Sequence, residues 1–253
     1  MTTTTSPPTE LTALLAALDK IEPEALTSCP GWTAHHLAAH ICGNYEEIGQ
    51  HVDAFEDGRP LERTRTWEER EQPLRELDHA TLLARTEDRA ASAAAVIGRV
   101  LADQPEAQLT WTGRTVRVAG FPTHLRSEDA LHRWDLVGDD ETNHELLGQQ
   151  DLLVHAVTFI GLPLLRRGLA DGAGPEPFLA RVRCEGRDDL VVEASKGEAH
   201  LSIAAAQGAP TIYGDPAARL LLLWGRKPAP FYRLRAGEDR SAAYRAQALL
   251  AGY

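Results

Sequence analysis

The sequence is poor in cysteine, in positive charge and in long apolar runs, and each shortage removes a class of function. Three cysteines, Cys29, Cys42 and Cys184, stand at irregular spacing among 253 residues. They give no disulfide framework and suit a reducing cytoplasm, the expected location. Lysine and arginine number 26 against 37 aspartate and glutamate, a formal net charge of −11. Nucleic acid and anionic membrane surfaces need a basic face, so neither is an expected partner. Uncharged apolar stretches such as Leu220–Gly225 are far too short to cross a bilayer. The opening residues, Met1-Thr-Thr-Thr-Thr-Ser-Pro-Pro, hold no basic residue and no apolar core. They read as a disordered tail and not as a signal peptide. What is present is ordinary for a soluble globular protein: 43% apolar and 25% charged residues, enough chain for one large domain or two ordinary ones.

Helical periodicity dominates the first two thirds. Leu11, Leu14, Leu15 and Leu18 recur at helical spacing after Pro7–Pro8, which predicts a helix from Thr9 to about Ile21. After the turn-rich segment Thr27–Thr33, Thr33 is placed to cap a second helix that Asp57–Gly58 stops. Its buried face is Leu37, Ile41, Ile48, Val52 and Phe55. A charged loop follows, with a short turn at Trp67–Glu71. The alanine-rich run from Ala80 to Ala102 predicts a third helix. Leu109–Val118 alternates around a Thr-Gly turn and reads as a hairpin. A fourth helix runs from Gly120–Pro122 to about Val137, and another from about Gln149 to Leu169. Asp171-Gly-Ala-Gly-Pro-Glu-Pro177 breaks the pattern and marks the expected domain boundary. Beyond it Phe178–Cys184, Asp189–Ala194 and Ala199–Ala204 predict an antiparallel meander, with helices at Asp215–Trp224 and Ala242–Leu250. The expected class is α+β: a helical bundle over residues 1–172, then a small antiparallel α+β domain over 173–253.

Within the bundle one constellation carries chemistry. Glu128 and His132 lie four apart on the fourth helix, and at about 100° per residue their side chains share a face. A carboxylate and an imidazole one turn apart can chelate one ion, as facing helices of bundles do. His40 sits mid-helix among apolar neighbours, where an uncompensated imidazole is costly, and is the natural third ligand. Two histidines and one glutamate leave a fourth position open, the pattern of a catalytic zinc site. The bland alternatives are a surface ion pair at Glu128/His132 and a hydrogen-bonded core histidine at 40. His36, one turn before His40, and His124, one turn before Glu128, are further candidates for the metal shell or for lining the pocket. Asp135, three after His132, is placed to orient a ligand imidazole or to cap the helix. Cys42 falls about 200° around the helix from His40 and reads as a core thiol, and Trp134 also reads as core. Cys29 precedes a helix start, where a thiolate is favoured.

Three segments around these residues carry a family resemblance: Ser28-Cys-Pro-Gly-Trp-Thr33, Leu37-Ala-Ala-His-Ile-Cys-Gly43 and Glu128-Asp-Ala-Leu-His-Arg-Trp-Asp-Leu136. They resemble the signature segments of the mycothiol-dependent maleylpyruvate isomerase family. Gly214-Asp-Pro-Ala-Ala-Arg-Leu-Leu-Leu-Leu-Trp-Gly-Arg226 is similar to the family's sterol-carrier-like C-terminal domain. The resemblance implies a DinB-like four-helix bundle whose metal ligands fall on His40, Glu128 and His132. It makes the Cys-Pro-Gly-Trp loop a packing element at the bundle's end. His36 departs from the acidic residue usual near that place. Arg226, otherwise a helix C-terminal charge meeting the dipole, becomes a cationic anchor for an anionic substrate or thiol.

The implied function is a metal-dependent enzyme, zinc being the expected metal and mycothiol the thiol cosubstrate. It would act on a small-molecule electrophile by isomerisation or S-transfer. The competing readings are a thiol-independent metal enzyme on the same scaffold and a non-catalytic metal- or ligand-binding protein. The expected oligomeric state is a monomer.

Overall fold

A computed structural model of the protein describes residues 8–172, 177–195, 197–227, 233–237, 239 and 241–250. Of the N-terminal tail expected to be disordered, Met1 to Pro8, residues 1–7 lie outside them. The chain divides into two compact units, Met1–Gly138 and Asp139–Tyr253.

In the first unit, helix α1 (Thr9–Leu18) buries Leu11, Leu14 and Leu18. Helix α2 (Ala34–Glu56) starts at Thr33, whose side chain accepts from the His36 N–H while the His36 ring accepts from the Thr33 N–H. That reciprocal box fixes where α2 begins. Helix α3 (Trp67–Arg75) opens with a second box, Thr66 with Glu69, and tolerates Pro73 inside it. The sequence showed only a short turn there. Six of its nine residues are polar, and what holds it is the burial of Arg70, Glu71 and Leu74 against α2. Helix α4 (His79–Asp103) is capped by Asp78.

The hairpin of β1 (Gln108–Trp111) and β2 (Arg114–Arg117) turns at Thr112-Gly113, both with positive φ. Helix α5 (Phe121–Val137) takes Pro122 in its first turn and stops at Gly138, φ +82°. The core of the unit is α2 packed on α4 and α1 packed on α5, with α5 also against α2. Three elements therefore converge where chemistry was expected: α2, α3 and α5.

The second unit begins with α6 (Glu141–Leu147), capped by Asp140, and α7 (Gln150–Ala156). A π-helical turn, Val157–Gly161, leads into α8 (Leu162–Ala170). The π turn falls where Gly161 comes close to its neighbours: a Cβ there would stand 2.9 Å from Leu201 and from Leu223. The continuous helical stretch Gln150–Ala170 spans 21 residues and has the length and apolarity of a membrane span by those measures alone. It exceeds the short apolar runs that the sequence offered. Part of its surface is covered by the unit's own β5, α9 and α10.

Strands β3 (Phe178–Arg183), β4 (Asp189–Ser195) and β5 (Glu198–Ala204) form the expected antiparallel meander. Then β6 (Ile212–Gly214) pairs parallel to β3, helix α9 (Pro216–Leu223) follows, β7 (Leu234–Ala236) pairs antiparallel to β6, and α10 (Ala242–Leu249) closes the unit. The sheet order is β5-β4-β3-β6-β7. The α+β class and the antiparallel meander stand as read from the sequence, and the parallel β3–β6 pair makes the whole sheet mixed. Three residues are too few to show a strand period.

The units meet at Gly138/Asp139 and not at the expected 172/173. Helices α6 and α7 pack on α9, and α8 packs on β5 and α10, all inside the second unit. The glycine- and proline-rich break marks a change from helix to strand within that unit. Its residues 173–176 lie outside the described ones.

Candidate metal centre

Helix α2 brings His40, and one face of α5 brings Glu128 and His132, to a common point. All three are buried, and one ligand atom from each lies within 4.8 Å of the others. His132 Nε2 stands 3.3 Å from Glu128 Oε2, and His40 Nε2 stands 3.7 Å from the same oxygen. Donors at 2.0–2.2 Å around a tetrahedral zinc lie about 3.4 Å apart, close to both of these separations from Glu128.

Each imidazole is turned by its other nitrogen. His40 Nδ1 is 2.7 Å from Glu71 Oε1, and Glu71 is wholly buried. An ionised carboxylate only accepts, so the proton is on Nδ1 and the lone pair on Nε2, toward Glu128. His132 Nδ1 faces Asp135 Oδ2 at 3.0 Å, which directs its Nε2 in the same way. Asp135 in turn accepts from the Cys29 thiol at 3.3 Å, and Glu71 accepts from Arg75 at 2.7 Å. Carboxylate–imidazole pairs of this kind orient metal ligands and raise their basicity. The donors present fit a borderline divalent cation.

The charges agree with that. Burial alone would raise the Glu128 pKa, but hydrogen bonds with His132 and His40 outweigh it and hold the carboxyl well below its ordinary range. Burial would lower His132, yet Asp135, Cys29 and Glu128 leave it well above the usual imidazole value. A positive charge therefore belongs beside Glu128, in the form of a proton on His132 or of a metal ion in its place. The next residue behaves oppositely. Asp129 is pushed up to about 8 by burial, and the Tyr45 hydroxyl donates to it at 2.7 Å. Of two adjacent carboxyl groups, burial favours the protonated form of Asp129 while hydrogen bonds from the histidines favour the ionised form of Glu128.

Residues 8–137 match the family described as the mycothiol maleylpyruvate isomerase N-terminal domain. The chain belongs to that family. Two crystal structures, of the mycothiol-dependent maleylpyruvate isomerase and of a histidine-to-alanine mutant of it, superpose with a TM-score of 0.61. Identity is 16%, over 87% of this chain and 86% of the other, a likeness that shows the fold. No curated protein matches the chain.

Within this maleylpyruvate isomerase scaffold the other sequence candidates take different roles. His36 forms the capping box of α2, so it serves the helix start and is not one of the converging donors. His124 is buried and reaches Glu128 from the other side, Nε2 to Oε1 at 3.5 Å. Burial pushes its pKa down to about 4, so it is a neutral group beside the second carboxylate oxygen. Arg226 follows α9 in the second unit and donates to the Trp224 carbonyl at 3.1 Å. Cys42 is a core thiol whose pKa burial pushes up to about 11.

Several residues near the centre escaped sequence reasoning. Glu71 is one, for its separation of 31 residues from His40 leaves no local signal. Asn44 is another: its amide nitrogen stands 3.1 Å from His40 Nε2 and would have to turn away for an ion to bind there. Trp32 stacks on His132 with centroids 6.0 Å apart and tilts over His40 at 4.9 Å; Trp67 meets His40 edge-on at 6.0 Å. Trp32 thus covers both imidazoles, and Trp67 packs edge-on against Trp32 and His40. Arg70 is 6% exposed, its Nε has no hydrogen-bond acceptor among the described residues, and it lies 3.9 Å from Glu71. Gly43 makes room for its stem, since a Cβ there would already touch it at 3.4 Å.

Proposed function

We propose that the His40/Glu128/His132 centre holds one divalent metal ion, zinc by its donor set, and serves an enzyme that uses a low-molecular-weight thiol on a small electrophile. One observation carries this reading: three buried donors from two helices converge, and each imidazole is turned toward the meeting point by its own carboxylate. The thiol is inferred from the mycothiol maleylpyruvate isomerase family to which the first domain belongs and from the similar structures of the mycothiol-dependent maleylpyruvate isomerase.

A bound dication would supply Lewis acidity that lowers the pKa of a coordinated thiol into the neutral range. The chain's own residues do the rest. Glu71 and Asp135 hold the imidazoles in the ligating tautomer. Trp32 and Trp67 exclude water from one side, which strengthens every charge interaction beneath them. Arg70, a buried guanidinium with bonding capacity to spare, anchors an anionic group of the electrophile or thiol. It supplies, within the same domain as the donors, the cationic anchor that the resemblance assigns to Arg226. Addition of the thiol followed by its expulsion gives isomerisation, and retention of the adduct gives S-transfer.

Elemental analysis of protein purified without chelators should find at least one zinc per chain, with one equivalent lost in His40→Ala. Metal-free wild-type protein would overturn the metal reading. Incubation with mycothiol and a panel of unsaturated or activated acids, followed by mass spectrometry, should give isomer or adduct. No product with any electrophile would overturn the thiol reading. Arg70→Met should keep the metal and raise KM for an anionic electrophile some 30-fold, about 2 kcal/mol for lost charge-assisted bonds.

A further inference from the structure

His35 and His79 stand in the first turns of α2 and α4, outside the centre just described. His35 Nε2 is 3.1 Å from the Arg75 carbonyl oxygen, and His79 Nε2 is 3.3 Å from that of Leu18. A carbonyl oxygen only accepts, so each Nε2 carries the ring proton. A neutral imidazole has a single N–H, which leaves a bare lone pair on both Nδ1 atoms. Those two atoms face each other at 3.2 Å, the rings tilted by 47°. Two lone pairs so placed repel, and the pair is stable only with a positive centre held by both.

We propose that His35 and His79 bind a second divalent transition-metal ion through their Nδ1 atoms. Nitrogens 3.2 Å apart subtend an angle of about 100° at an ion with 2.0–2.1 Å bonds, close to tetrahedral. Imidazole pairs select zinc, copper or nickel over magnesium and calcium. The pair borders a cavity of about 380 Å³ that Thr33 and His36 also line. No third His, Cys or carboxylate donor stands within ligating reach of the pair among the described residues, so water would fill the remaining positions. The ion would clasp the start of α2 to the start of α4. Because it binds only where the two helices are in place, it would stabilise the folded unit.

The test titrates metal-freed full-length protein with zinc, counting bound equivalents and following the melting temperature. Wild type should take two equivalents, and His40→Ala one. His40→Ala combined with His79→Gln should take none, its second-site affinity falling at least tenfold and its zinc-dependent melting shift vanishing. Glutamine keeps a donor for the Leu18 carbonyl, and circular dichroism checks that the variants fold. A folded His40→Ala protein that binds no zinc overturns the proposal and leaves a shared proton as the bridge. An equivalent that survives in the double variant overturns it too, since the second ion then sits elsewhere. Should His79→Gln cost one equivalent while His40→Ala costs none, this site stands and the His40 centre falls.

Discussion

At the scale of single residues, the side chain that matters most for the centre without being a ligand is Glu71. It is wholly buried, takes the His40 Nδ1 proton as a hydrogen bond at 2.7 Å and is itself held by Arg75 at 2.7 Å. Burial would push its pKa up, but those bonds from His40 and Arg75 keep it below the ordinary range. Glu71→Gln retains size and an acceptor but removes the charge that makes His40 a strong base. Metal affinity should fall about 10- to 100-fold, as when such partners are lost elsewhere. Competition with a chromophoric chelator measures it, and unchanged affinity would remove Glu71 from any positioning role.

The reason Glu71 was illegible is physical. In Trp67-Glu-Glu-Arg-Glu-Gln72 three carboxylates look alike in sequence, and only the packing of α3 on α2 buries one of them. Glu128 and His132 were legible because their four-residue spacing is itself geometry. Asp135 was legible for the same reason, as the partner three residues on.

At the scale of elements, the long helices and the meander could be read because caps and apolar periods act locally. Thr33, Asp57–Gly58 and Gly138 mark helix ends by their own chemistry. Helix α3, strand β6 and strand β7 owe their existence to what they pack or pair against, and so left no period. Close packing between elements also fixes two glycines differently. In α8, a Cβ on Gly168 would lie 2.1 Å from the carbonyl oxygen of Leu249 at the end of α10. Gly168→Ala should cost about 2–3 kcal/mol, because backbone cannot yield and overpacking outweighs the ~1 kcal/mol that alanine adds to a helix. Gly98 in α4 has nothing within 4 Å, so Gly98→Ala should instead gain about 0.5–1 kcal/mol. Urea unfolding of the full chain reads both, and equal effects would refute the packing account.

The sheet holds its own pH dependence. Asp189 opens β4, is wholly buried, and accepts from Arg183 Nε and Nη2, both at 2.9 Å, and from Arg181 at 3.3 Å. The Arg183 bonds hold its carboxyl below the usual range. Its folded pKa is therefore below its unfolded value of about 3.9, and the native state binds fewer protons in that window. The stabilisation is full above pH 4 and is lost as pH falls through the folded value. Asp189→Asn should cost about 2 kcal/mol at pH 7, less than a fully buried pair since both arginines keep some solvent. The two proteins' stabilities should converge as pH falls below about 4 in acid-unfolding curves, and a constant difference at all pH values would contradict this.

For the whole molecule, the sequence betrayed two domains but not their edge. Periodicity reports secondary structure, and it changes at Asp171–Pro177 because helices give way to strands. A domain edge depends on which surfaces cover each other, which no local pattern records. Helices α6, α7 and α8 belong with the sheet, burying Leu146, Leu147, Leu152, Leu153, Leu164 and Leu165 in the full chain. The family match, ending at residue 137, stops at the same edge as the first compact unit.

The edge can be tested by cutting. A fragment of residues 1–138 keeps α1 to α5, hence His40, Glu71, Glu128, His132 and Asp135, and should fold cooperatively and bind zinc through them. A fragment of residues 1–172 adds three helices without the α9, β5 and α10 surfaces on which they pack, leaving an apolar face of the kind that drives aggregation. It should bind an apolar fluorescent dye strongly and elute as aggregate in size-exclusion chromatography, while the shorter fragment does neither. A monomeric, dye-silent longer fragment beside an unfolded shorter one would move the edge back to residue 172.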